Sequence, residues 1–202
     1  LLCVSLRSSS RWCREGEEQE GKSLAMMETD FLEQRTTELA DLVFAPSRHI
    51  AEWVKAKGWD LPGPVFHQPN LIQIPEFSLP PPKSAFIREI VFFGRIQPRK
   101  GLFEFCDAID LLTAEQLSGV TIGFLGAHVT SPVDSRAHVN TKAAGWPCQT
   151  VILDRFSREE ALAYLRRPGV LAVIPSRRET FSNTVYECQN LGIPFLAANT
   201  KG

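Results

Sequence analysis

Five short runs rich in β-branched and aromatic residues, at 89–93, 120–125, 150–153, 170–174 and 194–198, alternate with stretches of helical periodicity. Strands separated by helices of this length pair in parallel, with helices covering the faces of the sheet. The intervening helices are expected at 102–112, with Leu102, Phe105, Ile109 and Leu112 on one face, around 134–143, and at 158–166 and 183–191. Ser157 and Glu160 form a capping box for the third of these. The fourth starts near Ser182 or Asn183, carries Val185, Cys188, Gln189 and Leu191 inward, and is stopped by Gly192. The expected class is α/β: a Rossmann-like parallel sheet flanked by helices.

A second pattern of the same kind precedes it. Leu24, Met27, Phe31 and Leu32 recur at helical spacing and predict a helix ending near Leu39. Residues 41–45 read as a strand, and Ser47 as the cap of a helix that carries Ile50, Trp53 and Val54 and ends at Gly58. Residues 65–66 read as one more extended piece. The polar stretch 7–23, with Glu15, Glu17, Glu18 and Glu20, reads as a solvated loop or helix face. Pro80-Pro81-Pro82 marks a semi-rigid linker over 75–89. The expected organisation is therefore the last part of one Rossmann-like domain (1–74), the linker, and a second α/β domain (90–202).

Leu1 to Leu6 is apolar but follows no Met and no basic region, so it reads as the tail of an interrupted strand and not as a signal peptide. The final strand is followed by no helix to cover it, and the chain reads as a fragment.

Composition narrows the function classes. The net charge of the 202 residues is −1, which sets a nucleic-acid partner aside, because phosphate binding calls for a basic excess. The five cysteines are odd in number and include no Cys-x-x-Cys pair, which argues against a disulfide framework or a zinc site and fits a reducing, cytoplasmic compartment. No apolar run reaches the roughly 18 to 20 residues that span a bilayer.

Two loops at expected strand ends carry chemistry. In 93–101, Gly94 lets the backbone turn sharply, and Arg95, Arg99 and Lys100 can clamp an anion such as a diphosphate. By itself that loop also reads as a solvated basic turn. In the second loop, the helix start at Ser182, Asn183 and Thr184 offers backbone N–H groups to phosphate oxygens. Glu187 suits the two vicinal hydroxyls of a ribose, and Glu179 suits a sugar. Taken singly, Glu187 reads equally as an exposed helical glutamate, and Glu179 as a charge complementing the helix N-terminus or as the partner of Arg177 or Arg178. Together the two loops describe a nucleotide-sugar better than a bare phosphate.

These residues carry a family resemblance. Leu39 to Ser47, then Phe93-Gly94-Arg95-x4-Lys100-Gly101, then Ile174 to Glu187 with seven residues between its two glutamates, then Gly192-Ile193-Pro194, occur in order. From about Glu38 to the end the chain resembles the retaining glycosyltransferases of the GT-B class, in particular the "glycosyl transferases group 1" family. The resemblance implies transfer of a sugar from a UDP-, GDP- or ADP-linked donor to a sugar, glycan or lipid-linked acceptor, with retention of configuration and without a metal or other cofactor. It implies that Arg95 and Lys100 bind the diphosphate and stabilise the leaving nucleotide, that Glu179 contacts the donor sugar, and that Glu187 holds the ribose. Gly94, Ser182, Asn183 and Thr184 would complete the donor site, and residues 126–156 would read the base. The four histidines fall outside this pattern and are expected to be surface or packing residues. Peripheral membrane contact is compatible with a lipid-linked acceptor. Two other readings stand beside this one: a sugar-nucleotide epimerase of similar fold, and a non-catalytic nucleotide-sugar binding module.

Overall fold

The structure, a computed structural model, describes residues 1–17, 23–77, 84, 86–131 and 133–200. Glu18, Glu20 and the Pro80–Pro82 run lie outside the described residues. By its internal contacts the chain divides into two units: residues 1–71 with 178–182 and 200–202, and residues 72–177 with 183–199.

The first unit contains β1 (Cys3–Ser5), α1 (Ser10–Glu17), α2 (Leu24–Glu38), β2 (Leu42–Ala45), α3 (Arg48–Ala56) and β3 (Val65–His67). The three strands form a parallel sheet in the order β1-β2-β3, with Val4 opposite Val43 and Val43 opposite Val65. Leu6, Trp12, Val43, Ile50, Val54 and Trp59 form its core. α3 buries Ile50 and Val54 as its periodicity predicts.

Two features of this unit depart from expectation. The polar stretch after residue 7 contains α1, one of the two forms expected of it, but this helix also buries Trp12. Its start is tied down by Ser10, whose N–H and hydroxyl both donate to the Glu33 carboxylate at 2.8 Å. α2 forms over the expected span, with the Ser23 hydroxyl accepting from the Met26 N–H, yet Leu24 and Phe31 are 74% and 62% exposed. Periodicity reports that a helix forms; it does not report what covers the apolar stripe.

The second unit contains β4 (Glu89–Phe93), α4 (Leu102–Asp110), α5 (Ala114–Leu117), β5 (Thr121–Leu125), α6 (Ser135–Ala143), β6 (Gln149–Leu153), α7 (Arg158–Leu165), β7 (Val170–Ile174), α8 (Asn183–Leu191) and β8 (Phe195–Ala197). All strand pairings are parallel and the order is β6-β5-β4-β7-β8. Successive strand residues point to opposite faces. Val91 and Phe93 therefore join the core beneath α7 and α8 with Leu162, Leu165, Ala172 and Cys188, and Phe92 joins the core beneath α4 and α6 with Phe105, Ile109, Phe124 and Val139. The short α5, capped by Thr113 and Gln116, escaped the sequence pattern because one turn is too short to show a period. On α8, Cys188 is buried as expected, but Gln189 is exposed and Glu187 takes the buried place.

Three of the histidines pack or bond to neighbours away from the strand-end loops with the expected chemistry. His49 meets Trp12 edge-on, His138 meets Phe103 edge-on, and His67 Nε2 lies 2.9 Å from the Pro46 carbonyl. All five cysteines are free, and burial pushes the thiols of Cys106 and Cys188 up to about 12. The raised values favour the neutral thiol, so at pH 8 the thiolate fraction of either is on the order of 10⁻⁴. A thiol-reactive dye added to native protein at pH 8 is expected to label exposed Cys3 first and to reach Cys106 and Cys188 only after denaturation. Prompt labelling of either buried thiol would contradict this packing.

Candidate functional site

Because every strand of the second unit is parallel, all its carboxyl ends lie along one edge. From β4 the chain steps outward to β5 and β6, then returns to the other side of β4 as β7. The strand order thus reverses between β4 and β7. In open α/β sheets that reversal leaves a crevice outside the strand ends, where ligands bind. The two loops that flank it are the one after β4, carrying Arg95 and Lys100, and the one after β7, leading into α8.

Close backbone approaches fix the first loop. Gly94 N–H donates to Leu125 O and Ile96 N–H to Ala127 O at 2.8 Å, so the loop continues beside the end of β5. Gly126, at φ 142°, passes so near that a β-carbon there would lie 2.2 Å from Gly94 O. After Arg95, which is exposed, the chain tucks in Ile96 and Gln97 and makes a 3-10 turn over Pro98–Lys100. Gly101, at φ 80°, then starts α4. A β-carbon on Gly101 would lie 2.0 Å from Pro175 O, and Arg177 N–H donates to Arg99 O at 3.0 Å. The loop after β4 and the start of the loop after β7 are therefore in contact.

Six of the eight residues singled out from sequence, namely Gly94, Arg95, Lys100, Asn183, Thr184 and Glu187, belong to this unit. Lys100 is half-buried, Asn183 is exposed at the start of α8, and Thr184 is half-buried beside it. Glu179 and Ser182 group with the first unit, where both are buried. Arg177, considered from sequence as a partner of Glu179, places Nε 2.9 Å from Glu104 Oε1.

Glu187 is 6% exposed and has a specific neighbour. Its Oε1 accepts from Arg158 Nε at 2.6 Å. Arg158 opens α7, at the carboxyl end of β6, and its Nη1 also donates to the Gln73 carbonyl. Sequence reasoning missed Arg158, which carried only the signal of standing beside a helix cap. It missed a second group as well. At the ends of β5 and β6, His128 Nδ1 lies 3.0 Å from Asp154 Oδ2, and Arg136 bonds the same carboxylate. The Arg136 guanidinium holds the Asp154 carboxyl below the usual carboxylate range. Ile96 and His128 are bridged in parallel, so this group borders the Arg95 loop.

The edge thus presents cations from the β4 loop, a helix start after β7 and a buried carboxylate one turn inside that helix. Such a set can hold an anion at one end and hydroxyl groups at the other. Among the described residues no cluster of His, Cys, Asp and Glu has the geometry to hold a metal ion, and no helix is long and apolar enough to cross a membrane.

The fold has solved relatives. Sucrose-phosphate synthase from Thermosynechococcus elongatus matches 99% of this chain and 50% of its own, at 18% identity and a TM-score of 0.68. A point mutant of S. aureus TarM, solved with fondaparinux, α-GlcNAc-glycerol and UDP, matches 92% of this chain and 36% of its own, at 12% identity and a TM-score of 0.66. Anabaena HepE in complex with UDP matches 89% and 52%, at 18% identity and a TM-score of 0.59. The chain spans about half the length of these relatives or less, and at these identities the likeness speaks for the fold, the GT-B arrangement expected from sequence. No curated protein matches the sequence. Residues 9–202 match the profile described as family 4 glycosyltransferase in conflict systems, and the chain belongs to that family.

Proposed function

We propose that the second unit binds the nucleotide-diphosphate-sugar donor of a retaining glycosyltransferase. The observation that carries this reading is the position of the two loops: the cationic one and the one leading to Glu187 flank the single reversal of strand order. Arg95 and Lys100 bind the diphosphate and stabilise negative charge as the nucleotide leaves, an electrostatic contribution that is usually the largest in such reactions. Backbone N–H groups at Asn183 and Thr184 add to that clamp with the dipole of α8. Glu187 accepts from the ribose hydroxyls. The family resemblance adds Glu179 as the residue that contacts the donor sugar and Ser182 as a further amide donor to the phosphates. The acceptor attacks from the face that the nucleotide leaves, so configuration is retained. That two solved relatives hold UDP makes UDP-sugars the first donors to try.

Calorimetry with UDP-, GDP- and ADP-glucose is the direct test, and binding of one of them is expected. Glu187→Ala should weaken that binding by about 1 to 3 kcal/mol, the loss typical of charge-assisted hydrogen bonds. Lys100→Ala should mainly lower turnover, read as release of the nucleoside diphosphate in the presence of acceptor. Unchanged donor affinity in Glu187→Ala would remove Glu187 from the site, and unchanged turnover in Lys100→Ala would remove Lys100.

A further inference from the structure

Arg158 has no part in the donor site as read from sequence, yet the site's buried carboxylate is held by it. Its guanidinium uses two edges at once. Nε donates to Glu187 Oε1 at 2.6 Å, and Nη1 donates to the carbonyl of Gln73, 85 residues earlier in the chain. The same strap of chain is anchored a second time just past the end of α7, where the Arg166 guanidinium lies 4.0 Å from the centre of the Phe77 ring. Phe77 in turn packs against the core formed by Leu162, Leu165 and Cys188. Residues 73–77 are therefore fixed along α7, and Arg158 is fixed by them.

The consequence for Glu187 is geometric. A carboxylate on a helix rotates about its last side-chain bond unless something defines its plane. A guanidinium that is itself pinned supplies that definition, because its N–H groups leave a rigid plane in set directions. With Oε1 engaged, the remaining lone pairs of the carboxylate are aimed and the group is pre-organised for hydroxyl groups.

We propose that Arg158 is a positioning residue for nucleotide binding: bridged between Gln73 and Glu187, it sets the orientation in which Glu187 accepts the ribose hydroxyls. This rests on the donor-site reading above. It adds a residue from α7 and makes the strap at 73–77 part of the support of the site. A plain surface ion pair would contribute little and would have no bearing on which hydroxyls are recognised.

The test compares UDP, GDP and ADP with their 2′-deoxy forms by calorimetry on the whole chain. For the wild type, tighter binding of a ribonucleotide than of its deoxy form is expected. Failure to bind any of the three nucleotides would overturn the donor-site reading itself, and equal binding of ribo and deoxy forms would overturn the role of Glu187. Given wild-type discrimination, Arg158→Ala is expected to lower affinity for the ribonucleotide about tenfold and affinity for the deoxy form, which keeps only the 3′-hydroxyl, by less. The melting temperature, measured alongside, is expected to fall in Arg158→Ala, because the Glu187 carboxylate is only 8% exposed and loses its partner; a change in the ratio of ribo to deoxy affinity does not follow from lower stability. Arg158→Lys keeps the charge but cannot bridge two partners in fixed directions, so discrimination should fall there too. Full discrimination retained in either variant would overturn the proposal.

Discussion

Alanine at Gly101 is expected to destabilise the second unit by about 2 to 5 kcal/mol, the sum of left-handed backbone strain and overpacking. Both contributions are visible. Gly101 sits at φ 80°, and the added carbon would meet Pro175 O at 2.0 Å and Pro175 C at 2.6 Å. Neither neighbouring atom is the end of a flexible side chain; both belong to the backbone at the end of β7, so relief requires moving a central strand or the start of α4. Gly119 provides the comparison. It has φ 72° with open space where a β-carbon would go, so alanine there should cost only about 1 kcal/mol, from backbone strain alone. Denaturant unfolding of the two variants separates strain from close approach. Equal losses would mean that the loops after β4 and β7 do not meet as described. Nucleotide affinity should fall with Gly101→Ala as well, because the same contact holds the Lys100 turn against the strand end.

The second large effect belongs to the first unit. Trp12→Ala should cost about 3 to 5 kcal/mol, the range for truncating a buried aromatic side chain. Trp12 is 1% exposed and meets His49 and Trp53 of α3 edge-on, with ring centres 5.2 and 5.1 Å away. The core it belongs to is small, and Trp12 is one of its largest fully buried side chains. Trp12→Phe should be much milder. It keeps most of the ring contact, and the indole N–H it removes has no hydrogen-bond partner among the described residues. Urea unfolding of both variants checks the ordering, and a Trp12→Ala loss below about 1 kcal/mol would place this side chain outside the core.

The candidate site divides along the same line as the fold. The places of Arg95, Lys100 and Glu187 beside a strand end or a helix start were legible because such offsets are properties of the local chain. The link between Arg158 and Glu187 was not, because it joins residues 29 apart and runs on to Gln73, 85 residues from Arg158. The His128–Asp154–Arg136 group was hidden for the same reason, since it joins the ends of two strands with a helix start.

The sequence by itself determined the parallel α/β class, the strands at 89–93 and 170–174, the capping box that opens α7 and the glycines at the turns. Periodicity, caps and positive φ are settled within a few residues of chain. Only the tertiary structure decided that a helix in a polar stretch buries Trp12, that the apolar stripe of α2 faces outward, that Glu187 and not Gln189 is the buried residue of α8, and that Gly101 meets Pro175. Each of these depends on which side chain or backbone arrives from elsewhere in the chain, and hydrophobic spacing carries no information about that partner.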